Sequence, residues 1–495
     1  MAYGRRALGA SFWSLMTNGG QQIIGFLFFV FLARLLPPED FGVIAMALLV
    51  VDVLATIGRV GQVEALVQRE EIDDRLCGRL FWVLQLIGLA LMGLVMLAAP
   101  PISAFFRVPE LVMVLVALAP VCWLQNLSAI PEARLRRDFR YKELALRSIV
   151  GMLVGGLAGV IAAFAGWGVY ALVVQRLTNQ LAQNVLLWAS VRWVPAIDFR
   201  PRTGDQPLFP TLAFGAKVAV ATLLNTANVR LIDVMVGFFM GPVALGYLRI
   251  AWRSFDFIMQ FSIIPVVNVA LATFSRLRDE PARLKRAYLK MTALASLSIF
   301  PICFGVGSVA HVALPIVFGE RWMPSAPLMQ ALSPIAVAAT INYFFVPLMT
   351  AVGHANWVLR QGLFQLVLSI TLTYAASQWS IYAVIAAHVA RATIMALLNM
   401  WSIRRAVGIS PAETLSAIAP ALLSALIMAA SVWASWIWLF DHGGTLLHLF
   451  ALIAAGVAVY AGILLLLFRR FVMGLWDEFQ QMRRARKTGS GAVAE

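Results

Sequence analysis

The stretch PPEDFGVIAMALLVVD, residues 37–52, passes from a proline turn into a run of large apolar side chains and ends on a carboxylate. A second stretch, GPVALGYLRIAWRSFD at 241–256, follows the same plan. Pro38, Gly42 and Asp52 return as Pro242, Gly246 and Asp256, each displaced by the same 204 positions. Two apolar runs with a buried acid at the same register raise two questions: what surrounds such a run, and what the acid is for.

Composition answers the first. With 61% hydrophobic and only 13% charged residues, the chain of 495 residues is far more apolar than a soluble protein, in which about a quarter of residues are charged. Its mean hydropathy is +0.83. Apolar segments of roughly 20 residues, the length that crosses a hydrocarbon core of about 30 Å, follow one another with short breaks. Fourteen are legible: 11–33, 41–65, 80–104, 111–130, 144–165, 168–191, 212–238, 243–272, 291–316, 328–350, 357–376, 380–403, 413–439 and 446–468. The expected fold is an all-α polytopic membrane protein of about 14 transmembrane helices.

Lys and Arg concentrate in alternate loops. One side carries Arg5, Arg6, Arg75, Arg79, the cluster Arg134, Arg136, Arg137, Arg140, Lys142 and Arg147, the group from Arg276 to Lys290, Arg404, Arg405 and the tail 469–487; the other holds Arg34, Arg107 and Arg321. Positive charge is retained in the cytoplasm, so both termini are expected there. The net charge of +15 is then a topology signal rather than a nucleic-acid footprint. The first apolar segment is too long for a signal peptide and is expected to stay as the first helix. Cys77, Cys122 and Cys303 have no disulfide or zinc spacing.

The repeat sets the organisation. Pro38, Gly42 and Asp52 sit at the outer turn and on the second helix of one half, and Pro242, Gly246 and Asp256 do so in the other. WGVYALV (167–173) opens the sixth helix and WSIYAVI (379–385) the twelfth, with their aromatic side chains as interfacial anchors. The reading is two six-helix bundles in parallel repeat plus two C-terminal helices, a transporter architecture. The expected divisions are an N-terminal lobe 1–191, a Pro-rich cytoplasmic linker 192–211, a C-terminal lobe 212–404, helices 13 and 14 over 405–472, and a basic tail 473–495.

An ionisable side chain within the membrane is costly unless it meets water or a partner. Asp52 and Arg59 share a face of helix 2; Arg230 and Asp233 lie on helix 7; Arg249, Arg253 and Asp256 share a face of helix 8. Reflection through the turn at 239–242 places Asp233 at the depth of Arg249. Helix 6 adds Arg176 within the polar stripe Gln175, Asn179, Gln180, Gln183 and Asn184; helix 12 adds His388 and Arg391; helices 1 and 7 add Asn18, Gln21, Asn225 and Asn228. Six arginines (59, 176, 230, 249, 253, 391) face three acids (52, 233, 256). Asp52 with Arg59, Asp233 with Arg249 and Arg253 with Asp256 are either ion pairs that only fasten helices, which taken alone would need equal numbers, or parts of a cationic cavity whose excess of guanidinium suits an anionic, phosphate-like ligand. His388 alone is a packed polar residue or a proton relay.

These motifs carry a resemblance. LARLLPPEDFGVIAMALLVVD (32–52), ARLRRDFRYKELAL (133–146) and GPVALGYLRIAWR (241–253) are similar to the polysaccharide transporter branch of the multidrug/oligosaccharidyl-lipid/polysaccharide superfamily, whose members include oligosaccharide flippases. The resemblance implies alternating access by two six-helix lobes in the bacterial inner membrane. It also implies a cargo of undecaprenyl-diphosphate-linked oligosaccharide carried to the periplasmic leaflet for exopolysaccharide or O-antigen synthesis, with no enzymatic step. Arg59, Arg230, Arg249 and Arg253, joined by Arg176 and Arg391, would hold the diphosphate, and the polar stripes of helices 1, 6 and 7 would meet sugar hydroxyls. Asp52, Asp233 and Asp256 would balance charge or couple a proton or sodium gradient; no cofactor is expected.

Rival functions are a peptidoglycan lipid-precursor flippase, a drug antiporter of the same superfamily and a membrane-embedded polysaccharide polymerase. The basic stretch 133–147 and the tail 476–487 are expected to lie along the anionic lipid surface, or to dock a polymerase or glycosyltransferase.

Overall fold

The computed structural model describes residues 2–67, 73–191, 193–196, 208–439, 445–469 and 473. These residues are helical apart from short turns, with no strand among them. The first half contains α1 (Ala2–Leu35), α2 (Pro38–Val67), α3 (Asp74–Phe106), the short α4 (Leu111–Leu118), α5 (Pro120–Leu127) and α6 (Ala129–Arg137), then α7 (Tyr141–Phe164) and α8 (Val169–Ser190). There follow the long α9 (Leu208–Ser262), α10 (Ile264–Arg276) and α11 (Pro281–Val317). The chain continues through α12 (Ser325–Leu332), α13 (Ile335–Ala351), α14 (Ala355–Ser377), α15 (Ile381–Val407), α16 (Pro411–Leu439) and α17 (Leu446–Leu467). Among the described residues, eight helices are long and apolar enough to cross a membrane, or nine if α12 and α13, bent by 50°, form one span.

α9 is two helices in one. At Gly241 the backbone takes φ 80° and ψ −175°, a left-handed value that a side chain resists, and Pro242 then restarts the helix. α2 likewise opens on Pro38, where the missing N–H leaves no bond unmade.

The chain falls into two compact units, Met1–Ile250 with Ser369–Val384, and Ala251–Leu368 with Ile385–Glu495. In the first, α7 packs on α8 through a stripe of glycines. A Cβ at Gly151, Gly155 or Gly159 would strike Gln175, Asn179 or Gln183 of α8, and one at Gly156 would strike the ring of Phe28 on α1. Small residues at every fourth position let helix backbones approach closely inside a membrane. Gln175, Asn179 and Gln183 are therefore packed into the α7–α8 seam, where Gln183 also donates to Asn179 (2.7 Å), and Asn184 is buried with its amide on the Leu124 carbonyl (2.8 Å). This corrects the sequence expectation that the α8 stripe faces sugar: an amide row beside a glycine row is helix glue.

The basic stretch needs a similar correction. Buried Glu132 of α6 takes Arg147 (2.7 Å) and Arg136 (2.6 Å), Arg134 pairs with Asp74 and also lies over the Trp193 ring, and Leu135 is buried. Beneath them Phe81, Trp188 and Trp193 pack at right angles or stacked, within a core that includes Leu76, Leu80 and Ile130. Three of the basic residues thus serve an internal platform, not a lipid surface; Phe139 and Leu146 are the apolar side chains that remain exposed.

The second unit is organised on α11, which packs against α12, α13, α16 and α17. Tyr460 of α17 donates to the Leu297 carbonyl (3.0 Å), and Lys285 pairs with Glu413 at the start of α16 (2.5 Å).

Candidate functional site

In the first unit five charged side chains, Asp233 buried and the other four partly buried, form one chain of contacts. Asp52, on α2, accepts from Arg176 of α8 at 2.9 Å and lies 3.5 Å from Arg230 in the first part of α9. Arg230 also reaches Asp233, one turn on, at 3.6 Å. Asp233 in turn takes Arg249 at 2.8 Å, across the Gly241 break. The order is Arg176, Asp52, Arg230, Asp233, Arg249.

Local sequence explains much of this order. Arg230 and Asp233 are three apart and so share a face of one helix. Asp233 and Arg249 are equidistant from Gly241, so a helix that turns back there brings them level, as the reflection argument expects. The Asp52 contacts have no such local origin, because Arg176 is 124 residues away and Arg230 178. Among the described residues Asp52 contacts Arg176 and Arg230, a pair of partners the sequence reading did not give it. The side chains of Arg59, Asn18, Asn225 and Asn228 lie outside the described residues. Gln21 is half-buried on α1, beside Gly20, which rests against Ile149 of α7.

Three guanidiniums against two carboxylates leave this chain of contacts with a net charge of +1. The carboxylates offset the cost of the arginines in an apolar setting, about 2.5–3.5 kcal/mol for each unpartnered charge at the centre of a span. The Nε–H of Arg176 is buried and has no acceptor among the described residues. Such a fork presents planar donors to oxygen acceptors in the pattern that phosphate and carboxylate match.

The remaining members of the expected set lie in the second unit. Arg253 is half-buried beside Asp256 on α9. Asp256 opens into a cavity of about 280 Å³ whose walls include Trp252, Asn342 and Tyr343 of α13, Gln365 of α14, and His388 and Arg391 of α15. His388 is held between the Trp252 ring (4.7 Å between centroids, at 83°) and the Arg391 guanidinium (3.3 Å), so it is a packed residue facing a cation. The sequence reading passed over Trp252, Asn342, Tyr343 and Gln365. Trp252 was the accessible signal, since it precedes Asp256 by four and so shares its helix face. Trp167, Tyr170, Trp379 and Tyr382, read as interfacial anchors, are exposed.

Comparison with known proteins identifies the family and the fold. The family model described as polysaccharide biosynthesis protein matches residues 31–327. The succinoglycan biosynthesis transport protein ExoT of Rhizobium meliloti (strain 1021) is 25% identical over 96% of this chain and 95% of its own. The lipopolysaccharide biosynthesis protein WzxC of Escherichia coli (strain K12) is 21% identical over 69% of each chain. Among solved structures, the lipid II flippase MurJ in an inward closed conformation superposes with a TM-score of 0.71 at 15% identity, covering 94% of this chain and all of MurJ. An inward-facing multidrug resistance transporter of the MATE family, in the MOP superfamily, follows with 0.60 at 14% identity, covering 78% of this chain and 94% of that one. The chain is a multi-pass membrane protein that shares its fold with MurJ and with the MATE transporter, and it belongs to the polysaccharide biosynthesis protein family.

Proposed function

We propose that the protein flips an undecaprenyl-diphosphate-linked oligosaccharide repeat unit from the cytoplasmic to the periplasmic leaflet of the bacterial inner membrane. The observation that carries this reading is the Arg176–Asp52–Arg230–Asp233–Arg249 chain, with its excess of guanidinium among α2, α8 and α9. A diphosphate supplies the missing negative charge and the acceptor oxygens, while the prenyl tail stays in lipid. Asp52 and Asp233, each already in contact with two arginines, balance the site when it is empty and leave little negative charge for a coupling cation. Fourteen crossings, two six-helix lobes moving by alternating access, and cytoplasmic termini complete the proposal, supported by the charge asymmetry of the loops.

The same diphosphate chemistry would serve a peptidoglycan lipid precursor, and a drug antiporter for cations would favour an acidic site instead. The test uses a strain lacking this gene, in which the leaflet of the undecaprenyl-linked intermediates is read with an impermeant probe of the sugar. Repeat units stranded on the cytoplasmic side, with normal peptidoglycan, are the expected result. Peptidoglycan arrest would assign the precursor flippase. Repeat units that reach the periplasm unpolymerised would assign a polymerase, and unchanged intermediates would remove the flippase reading.

A further inference from the structure

Resting on that reading, we propose that the cavity of the second unit is a separate saccharide subsite that takes one sugar ring of the cargo, apart from the arginines that take its diphosphate. Its chemistry differs from theirs. Asp256 only accepts hydrogen bonds, Arg391 only donates, and the Gln365 amide and Tyr343 hydroxyl do both. A row of sugar hydroxyls, each both donor and acceptor, satisfies all four. A phosphate does not, because its oxygens only accept and would face the Asp256 carboxylate. A prenyl chain would leave the Gln365 amide, the Tyr343 hydroxyl and the Nε–H of Arg391 without a partner, at a cost in free energy for each.

The donors are available. The Nε–H of Arg391 is buried without an acceptor, and the side chains of Gln365 and Tyr343 make no hydrogen bond, among the described residues. Trp252 and Tyr343 add aromatic surface for the apolar face of a pyranose. The walls are braced: Asn342 donates to the Ala392 carbonyl (3.1 Å) and accepts from Asn399 (2.8 Å), tying α13 to α15, while His388 fixes the Trp252 ring. A cavity of about 280 Å³ sits at the small end of ligand pockets, roughly 300–1,000 Å³, which fits a single ring rather than a whole repeat unit. Placement of sugar recognition here would let the diphosphate site serve any cargo while this pocket sets which sugar is accepted.

The experiment compares two probes on the full-length protein in nanodiscs: the isolated undecaprenyl-linked repeat unit, and undecaprenyl diphosphate without sugar. The wild type is expected to bind the glycosylated lipid about tenfold tighter, equivalent to about 1.4 kcal/mol from the sugar. In Gln365→Ala and Tyr343→Phe that ratio should fall towards one, with binding of the bare diphosphate lipid unchanged. Arg230→Ala should weaken both probes alike. A wild-type ratio near one, pocket variants that keep the ratio, or variants that weaken both probes equally would overturn the subsite alone. A wild type that binds neither probe would overturn the flippase reading and the subsite with it.

Discussion

Gly42 of α2 lies against the main-chain carbonyl of Pro242, and the contact is reciprocated: Gly246 lies against the carbonyl of Pro38. The two copies of the Pro-x-x-x-Gly landmark are thus packed on each other, each glycine admitting the other copy's proline backbone. A Cβ at either glycine would collide with main chain, which cannot rotate aside as a side chain can. Gly42→Ala and Gly246→Ala are therefore expected to destabilise the protein by about 1–3 kcal/mol each through overpacking. Thermal unfolding in detergent measures this. The double variant should cost less than the sum of the singles, since both glycines serve one crossing; strict additivity would show that the two contacts are independent.

Arg230 touches both acids of the charge chain, so it should matter more than either terminal arginine. Arg230→Ala makes the chain neutral and is expected to cut export at least about tenfold, a change of about 1.4 kcal/mol, while the protein still inserts. Arg230→Lys should recover part of the loss, because it keeps the charge but not the planar fork. Export of labelled repeat units, normalised to protein in the membrane, decides it; equal export by all three would make the arginine a helix fastener.

Asp52→Asn tests the balancing role from the other side. It raises the net charge of the chain from +1 to +2, leaving Arg176 without the acid it now contacts. The expected outcome is tighter retention of the diphosphate lipid with slower release, read as a lower apparent Kd together with lower export. Normal export would mean that Arg176 and Arg230 do not need Asp52 to let the cargo go.

Arg253→Ala removes the base beside Asp256 in the second unit. Export should be lost while accumulation and insertion are kept, and full export in this variant would take Arg253 out of the functional set.

Glu132→Ala should act on folding rather than transport. It strips the acid from buried Arg147 and from Arg136, and a buried charge left without its partner costs about 3–5 kcal/mol. The melting temperature in detergent should fall markedly, with the fraction that remains folded still exporting. An unchanged melting temperature would show that Arg147 finds another acceptor.

Much of the fold was legible because its causes are local. The apolar runs and the proline and glycine punctuation at 37–42 and 241–246 each depend on a few neighbouring residues. The same locality made the Asp233–Arg249 contact readable, since it follows from helical spacing on either side of one turn. The α8 stripe was misread for the complementary reason. Its polarity was visible, but the glycine row of α7 that it packs against lies on a different helix, and a helix's own period cannot say which neighbour covers which face.

The sequence by itself determined that the chain is helical, membrane-crossing and internally repeated, with more arginine than acid inside its spans. Only the tertiary structure decided that Asp52 belongs with Arg176 and Arg230, that Glu132 gathers the basic stretch, and that Trp252, Tyr343, Gln365 and Arg391 line one cavity. The physical reason is the range of the forces. Hydrophobic periodicity and backbone hydrogen bonding act within a few residues and are written along the chain, whereas the partner of a buried charge is chosen by which helices pack together, through contacts between residues far apart in sequence.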